Sequence, residues 1–282
     1  MPEPWRYGFS AYPNLEREAF LRRCQSLFAS GFSALEAFAV GDVMAPVPFA
    51  QYSEAVSHVV CDTGAMLSVH LPTTDVNPLA RNRRVRRASI DSQRAGIRWA
   101  GQLGASLCVL HLGQVPAVFG DPQAVGAVRF GEFWGIAAEV LAELQGCARE
   151  HGVLLTVENL IGPREVAASA DRLLELLAQP GCEGVGITVD LSHALLAGSP
   201  VGDFVRAIGT RLCHVHANDT DGQTDRHWAL GTGQLRLPSA LRELRLLGFA
   251  GTLVLEIDGS VETLKDSRRQ LQMAWAMAST TE

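Results

Sequence analysis

Eight short apolar runs punctuate the chain: Tyr7–Ser10, Ala34–Phe38, Met66–His70, Leu107–His111, Val153–Glu158, Val185–Asp190, Leu212–His216 and Thr252–Glu256. Most are apolar without strict alternation, as expected for parallel strands covered on both faces. Helical periodicity fills the gaps. Phe133, Ile136, Val140, Leu144 and Cys147 recur at three- and four-residue steps, and Val166, Ala170, Leu173 and Leu177 repeat the pattern. Leu237, Leu241 and Leu244 do so again, with Pro238 suited to a first helical turn and Gly248 to a C-terminal stop. Weaker helices fit 14–30 and 50–62, and a last one begins near 261 and packs through Val261, Leu264, Leu271 and Trp275. Eight strand–helix units in 282 residues predict an α/β chain folded as one (β/α)8 TIM barrel, a single domain over 1–282. A doubly wound sheet would have fewer strands and often a Gly-rich phosphate turn. Neither G-x-G-x-x-G nor G-x-x-x-x-G-K-[ST] occurs.

Six of the runs close on a side chain able to bind metal. His70, His111, Glu158, Asp190, His216 and Glu256 end runs three to eight. In a barrel these C-terminal ends converge on one mouth, where barrel enzymes place their active sites. Taken singly, a strand-end His is a hydrogen-bonded core or loop residue, and a strand-end Asp caps the next helix. Asp190-Leu-Ser-His193 fits such a helix entrance. Six buried ionisable groups facing one another are costly unless they pair or bind metal, so a shared metal site is the economical reading. His214 and His216 point to the same side of a strand. His216, at its end, is the better ligand, and His214 is expected one layer deeper. Asp225 and His227 stand two apart in a Gly-bounded loop and can reach one ion.

Composition narrows the functional classes. The net charge of -6 gives no global attraction for nucleic acid or anionic membrane. Residues 81–98 depart from this, with seven arginines against one aspartate, but they read as a solvated helix face. Arg81, Arg83, Arg84, Arg86 and Arg87 are not expected to form a continuous rim with Arg226, so duplex DNA should bind poorly at physiological salt. No apolar run approaches membrane-spanning length. Met1-Pro-Glu-Pro-Trp-Arg6 lacks the order of a signal peptide, and six scattered cysteines show no C-x-x-C pair. A cytoplasmic location is expected, and a homo-oligomer is compatible with these features. The 113–130 loop is long enough to serve as a lid.

Val157-Glu158-Asn159, Asp190-Leu-Ser-His193, His216-Ala-Asn-Asp219, Asp225-Arg-His227 with Leu230-Gly-Thr-Gly233, and Leu255-Glu256 carry a resemblance. The chain resembles the xylose isomerase-like TIM-barrel superfamily, or AP endonuclease family 2, over nearly its whole length. That superfamily includes endonuclease IV, sugar phosphate isomerases/epimerases, hydroxypyruvate isomerases, inosose dehydratases and ketose 3-epimerases. The isomerase and epimerase branch implies one divalent ion (Mn, Mg or Zn) on Glu158, Asp190, His216 and Glu256, with His193 touching substrate. The endonuclease IV branch implies a three-metal cluster that adds His70, His111, His193, Asp225 and His227. Gly31-Phe-Ser-Ala-Leu-Glu36 resembles the second strand of the sugar isomerases, where the Glu faces substrate, and His70-Leu-Pro-Thr-Thr-Asp-Val-Asn77 also looks isomerase-like. The glycine-rich first strand of endonuclease IV is absent, since Gly8-Phe-Ser-Ala-Tyr-Pro-Asn14 stands there.

The resemblance thus implies a metal-dependent isomerase or epimerase of a small sugar, sugar phosphate or related keto compound. Glu158 and Glu256 would form the proton acceptor and donor pair. The alternatives are a di- or trinuclear zinc phosphoesterase acting at abasic sites, a metal-dependent lyase acting on a polyol or keto acid, and a barrel that only binds its ligand.

Overall fold

Eight parallel strands close into one barrel, with β8 pairing back onto β1. The structure is a computed structural model. It describes residues 3–40, 47–115 and 130–278, with backbone only at 130–132. The strands are β1 (Arg6–Ala11), β2 (Ala34–Phe38), β3 (Met66–His70), β4 (Leu107–Leu110), β5 (Leu154–Glu158), β6 (Gly186–Asp190), β7 (Leu212–Ala217) and β8 (Thr252–Leu255). The barrel closes through the register Arg6↔Thr252 to Phe9↔Leu255. The 113–130 loop expected to act as a lid falls largely on 116–129, outside the described residues.

The helices are α1 (Arg17–Ala29), α2 (Phe49–Thr63), α3 (Arg83–Gln102), α4 (Phe130–Glu150), α5 (Ala170–Leu177), α6 (Leu191–Leu196), α7 (Val201–Ile208), α8 (Leu237–Leu246) and α9 (Val261–Ala278). Local signals set several boundaries. Ser169 caps α5 by accepting a hydrogen bond from Arg172 N, so the helix begins at Ala170 and leaves out Val166, the first residue of the periodic pattern. Pro238 stands in the first turn of α8, and Gly248 follows that helix at a left-handed φ of +64°. The arginine run forms α3. Arg87 pairs with Asp91 and with Glu143 of α4, and Arg94 also pairs with Glu143, in the outer helical layer. Among the described residues no helix is long and apolar enough to cross a membrane.

The strands are less uniform than their apolar character suggests. Phe9, Leu35, Leu67, Leu155, Ile187, Val215 and Leu253 are buried in the hydrophobic cluster that includes the helices. The residues alternating with them are often polar yet buried: Ser10, Glu36, Ser68, Thr156, Thr188 and His214. Side chains alternate across a strand, so one face meets the helices and the other fills the barrel. The filling is tied together: Ser68 Oγ donates to Glu36 Oε2 at 2.8 Å, His214 Nε2 lies 2.9 Å from the same oxygen, and the Thr156 and Thr188 hydroxyls are 2.7 Å apart. The core is therefore apolar outside the sheet and hydrogen-bonded inside it.

Candidate active site

The six strand-end groups meet at one mouth. His70, Glu158 and Asp190 are the last residues of β3, β5 and β6, His216 is next to last in β7, and His111 and Glu256 directly follow β4 and β8. Their ligand-capable atoms fall into compact groups. Glu158, Asp190, His216 and Glu256 form one, with the chosen atoms all within 4.8 Å of one another. His70, His111 and Glu158 form a second, and His193, Asp225 and His227 a third. Glu158 belongs to two of them. Its Oε2 lies 2.9 Å from His111 Nε2 and 3.4 Å from His70 Nε2, and its Oε1 lies 3.3 Å from both His193 Nδ1 and His216 Nδ1.

These residues fit a divalent ion. Two ligands about 2.1 Å from one zinc stand at most about 4.2 Å apart, so spans up to 4.8 Å need only small side-chain shifts. The histidines are also oriented. His70 Nδ1 meets Leu71 O at 3.0 Å, His193 Nδ1 meets Asn159 O at 2.9 Å, and His227 Nδ1 meets Glu256 O at 2.9 Å. A carbonyl accepts only from N–H, so each bond places a proton on Nδ1 and turns Nε2 toward the site, where its lone pair is free for an ion once the ring is neutral. Imidazole and carboxylate together suit Zn2+ or Mn2+ better than Ca2+.

Burial and crowded charge shift the acids apart. Burial alone would raise Glu158, but the imidazoles of His216 and His111 outweigh it and hold the carboxyl well below the usual range. Asp190 moves the other way. Burial raises it, and Glu158 and Glu256 add to that against the pull of His193. Burial opposes protonation of His227, yet the hydrogen bond to Asp225 raises it to about 10. A cation placed among these oxygens would compete with the protons.

Asp190 caps a helix, as its sequence setting predicts, and also stands in a ligand-capable group. Its Oδ1 caps α6 by accepting from His193 N at 2.7 Å, while Oδ2 accepts from Asn218 Nδ2 at 2.8 Å. Two asparagines inside the motifs that carry the resemblance take roles the sequence does not state. Asn159 bonds both to the Asp190 N–H and to its carbonyl, and Asn218 steadies the Asp190 carboxylate. Asn159 follows Glu158, and Asn218 stands two past His216. His214 lies one layer deeper, fully buried against Glu36.

Glu36 departs from its expected place facing substrate. It is 0% exposed and sits beneath the mouth, with one oxygen bound to Ser68 and His214 and the other 2.9 Å from His216 Nε2. Its position on β2, two residues before the strand end, explains the depth. There it backs His216 from behind. Glu36→Gln is expected to weaken divalent-ion affinity about 10- to 100-fold, measured by titration against a competing chelator. Unchanged affinity would show that Glu36 only fills space. His193 is likewise more engaged than a substrate contact requires, with Asn159 O at Nδ1 and Asp225 Oδ2 3.2 Å from Nε2.

Known proteins resemble this chain in structure or in sequence. A solved D-tagatose 3-epimerase-like protein superposes with a TM-score of 0.82 at 22% identity, over 97% of this chain and 98% of its own. An uncharacterized protein of Methanocaldococcus jannaschii is 31% identical over 192 residues, 67% of this chain. Fructoselysine 3-epimerase of Shigella flexneri is 27% identical over 186 residues, 64% of this chain. The chain spans 63% of the length of each of these two relatives. The family profile described as the xylose isomerase-like TIM barrel matches residues 24–275, so the chain belongs to that family.

Proposed function

We propose that the protein is a divalent-metal-dependent isomerase or epimerase of a small carbohydrate. The observation that carries this reading is the pair Glu158 and Glu256 converging on one buried group, with Glu158 Oε1 at 3.3 Å and Glu256 Oε2 at 2.9 Å from His216 Nδ1. Similarity to relatives named as sugar epimerases and isomerases supports it. Glu158, Asp190, His216 and Glu256 would hold the ion, which when bound polarises a carbonyl and its neighbouring hydroxyl. One glutamate takes the proton from the carbon beside the carbonyl. The other returns a proton to the opposite face of that carbon, or to its neighbour. Epimerisation and isomerisation then differ only in where the second proton is delivered. Tyr12 OH lies 3.4 Å from Glu256 Oε1, and its pKa, raised by burial and by Glu256, keeps it a donor toward that carboxylate.

The nine ligands in three groups favour a second reading, a phosphoesterase with two or three ions. Metal analysis of the purified protein separates the two. One ion per chain is expected for the isomerase reading, with interconversion of a small ketose or its phosphate and no incision of abasic-site duplex DNA. Two or three ions with incision that Glu158→Gln abolishes would put the phosphoesterase first. The chemistry of the acid pair also suits a lyase, which would appear as net loss of water from a polyol.

A further inference from the structure

The third group depends on a loop that ought to be hard to hold still. Asp225 and His227 lie between β7 and α8, in a segment without a strand or helix of its own, and His227 adopts a left-handed φ of +48°. Asp225 Oδ2 nevertheless lies 3.2 Å from His193 Nε2, and His227 Nε2 lies 3.3 Å from Asp225 Oδ1.

Asp219 accounts for this order. It stands two residues beyond the end of β7 and is 1% exposed. Its carboxylate accepts four backbone hydrogen bonds, each 2.9 Å long: Oδ1 from Thr220 N and Leu235 N, Oδ2 from Gly231 N and Gly233 N. Its backbone pairs reciprocally with Trp228, at 2.9 and 3.0 Å. One side chain thus draws the start and the end of the 219–235 segment to a single point, and its own backbone adds the middle. The donors on the far side include two glycines. A Cβ on Gly233 would fall on Thr220 O and 2.5 Å from Asp219 Oδ1, so the approach needs a residue without a side chain. Secondary ties follow, from Leu230 N to Ser267 Oγ of α9 at 3.1 Å and from Asp258 N to His227 O at 3.1 Å.

We propose that Asp219 is a positioning residue for the His193, Asp225 and His227 group. It fastens the loop to the end of β7, so the strand that supplies His216 also fixes where Asp225 and His227 stand. A carboxylate is required, because only a group with four lone pairs and no hydrogen can accept from four N–H groups. In the Asp219→Asn variant the amide NH2 would face two of those donors, whichever way it turned. The ion at this group rests on the metal-dependent reading of the site, whereas the placement of the loop does not.

The test compares Asp219→Asn, Gly233→Ala and Asp225→Asn with the unaltered protein. In the metal-free proteins, amide hydrogen exchange at Gly231, Gly233 and Leu235 is expected to speed up at least about tenfold in the first two variants. Core amides of β7 should keep their protection. The imidazole 15N shifts of His193 and His227 should change with them. On titration with Zn2+, Asp219→Asn and Gly233→Ala should lose the ion that Asp225→Asn loses and keep the rest. Unchanged exchange overturns the proposal, as does faster exchange with unaltered imidazole shifts. If Asp225→Asn loses no ion, the group holds no metal, and exchange and imidazole shifts alone decide whether Asp219 positions it. Gly233→Ala strains the same fastening without altering a carboxylate, so it decides the matter should Asp219→Asn fail to fold.

Discussion

Glu158→Gln is expected to lower kcat for sugar interconversion by roughly 10³-fold or more. The expectation follows from how much this one residue does. It is fully buried and touches His70, His111, His193 and His216. Glutamine keeps the shape, removes the charge and cannot accept the substrate proton. Glu256→Gln should cost a comparable factor, but Glu256 belongs to only one of the groups that contain Glu158, so metal content should suffer less. The measurement is proton NMR of ketoses and inososes in D2O, which reads both product and deuterium incorporation. If the two glutamates divide the acceptor and donor roles, each variant should lose exchange of a different proton. Retention of activity within a factor of three in Glu158→Gln would remove it from the proton-transfer role.

Stripping the protein of divalent ions is expected to lower its melting temperature by roughly 7 °C. An ion present at 1,000 times its dissociation constant stabilises the native state by about 4 kcal/mol. At an unfolding entropy of about 2.1 cal/mol/K per residue, each kcal/mol moves the midpoint of a 282-residue chain by roughly 1.7 °C. The sign follows from the crowded acids. Glu158, Asp190 and Glu256 are each buried in one group, and removal of a counter-charge leaves them to repel one another or to take up protons. Calorimetry before and after chelation, then with added Mn2+, Mg2+ or Zn2+, provides the check. Identical midpoints throughout would mean that the histidines already balance the site and that no ion contributes to stability.

The barrel and its rim were legible because both are written in short, local signals. Apolar runs of strand length mark the eight strands, and a polar residue at the end of a run marks the mouth. The approach of His227 to Asp225 was legible from their spacing. Glu36 shows where that logic fails: the sequence places it on β2 but does not say how deep a residue two short of the strand end will lie. That depth is set by strand stagger around the closed barrel, which is a property of all eight strands together. The polar filling around His214, Ser68 and Thr188 escaped for the same reason, since an isolated Ser or Thr in an apolar run carries no mark of which face it takes. Asp219 stood in a conspicuous segment, but its four donors lie up to 16 positions away and meet it only through the fold of the loop.

The anchored imidazoles have a consequence for how such a protein diverges. His70, His193 and His227 each have one ring nitrogen committed to a main-chain carbonyl. A carbonyl survives almost any substitution of the residue that carries it. The aim of these rings is therefore insulated from most changes in neighbouring side chains, and the surrounding loops are free to drift in shape and polarity while the reactive centre stays intact. Loop substitutions around this rim can therefore accumulate while the three rings keep their aim.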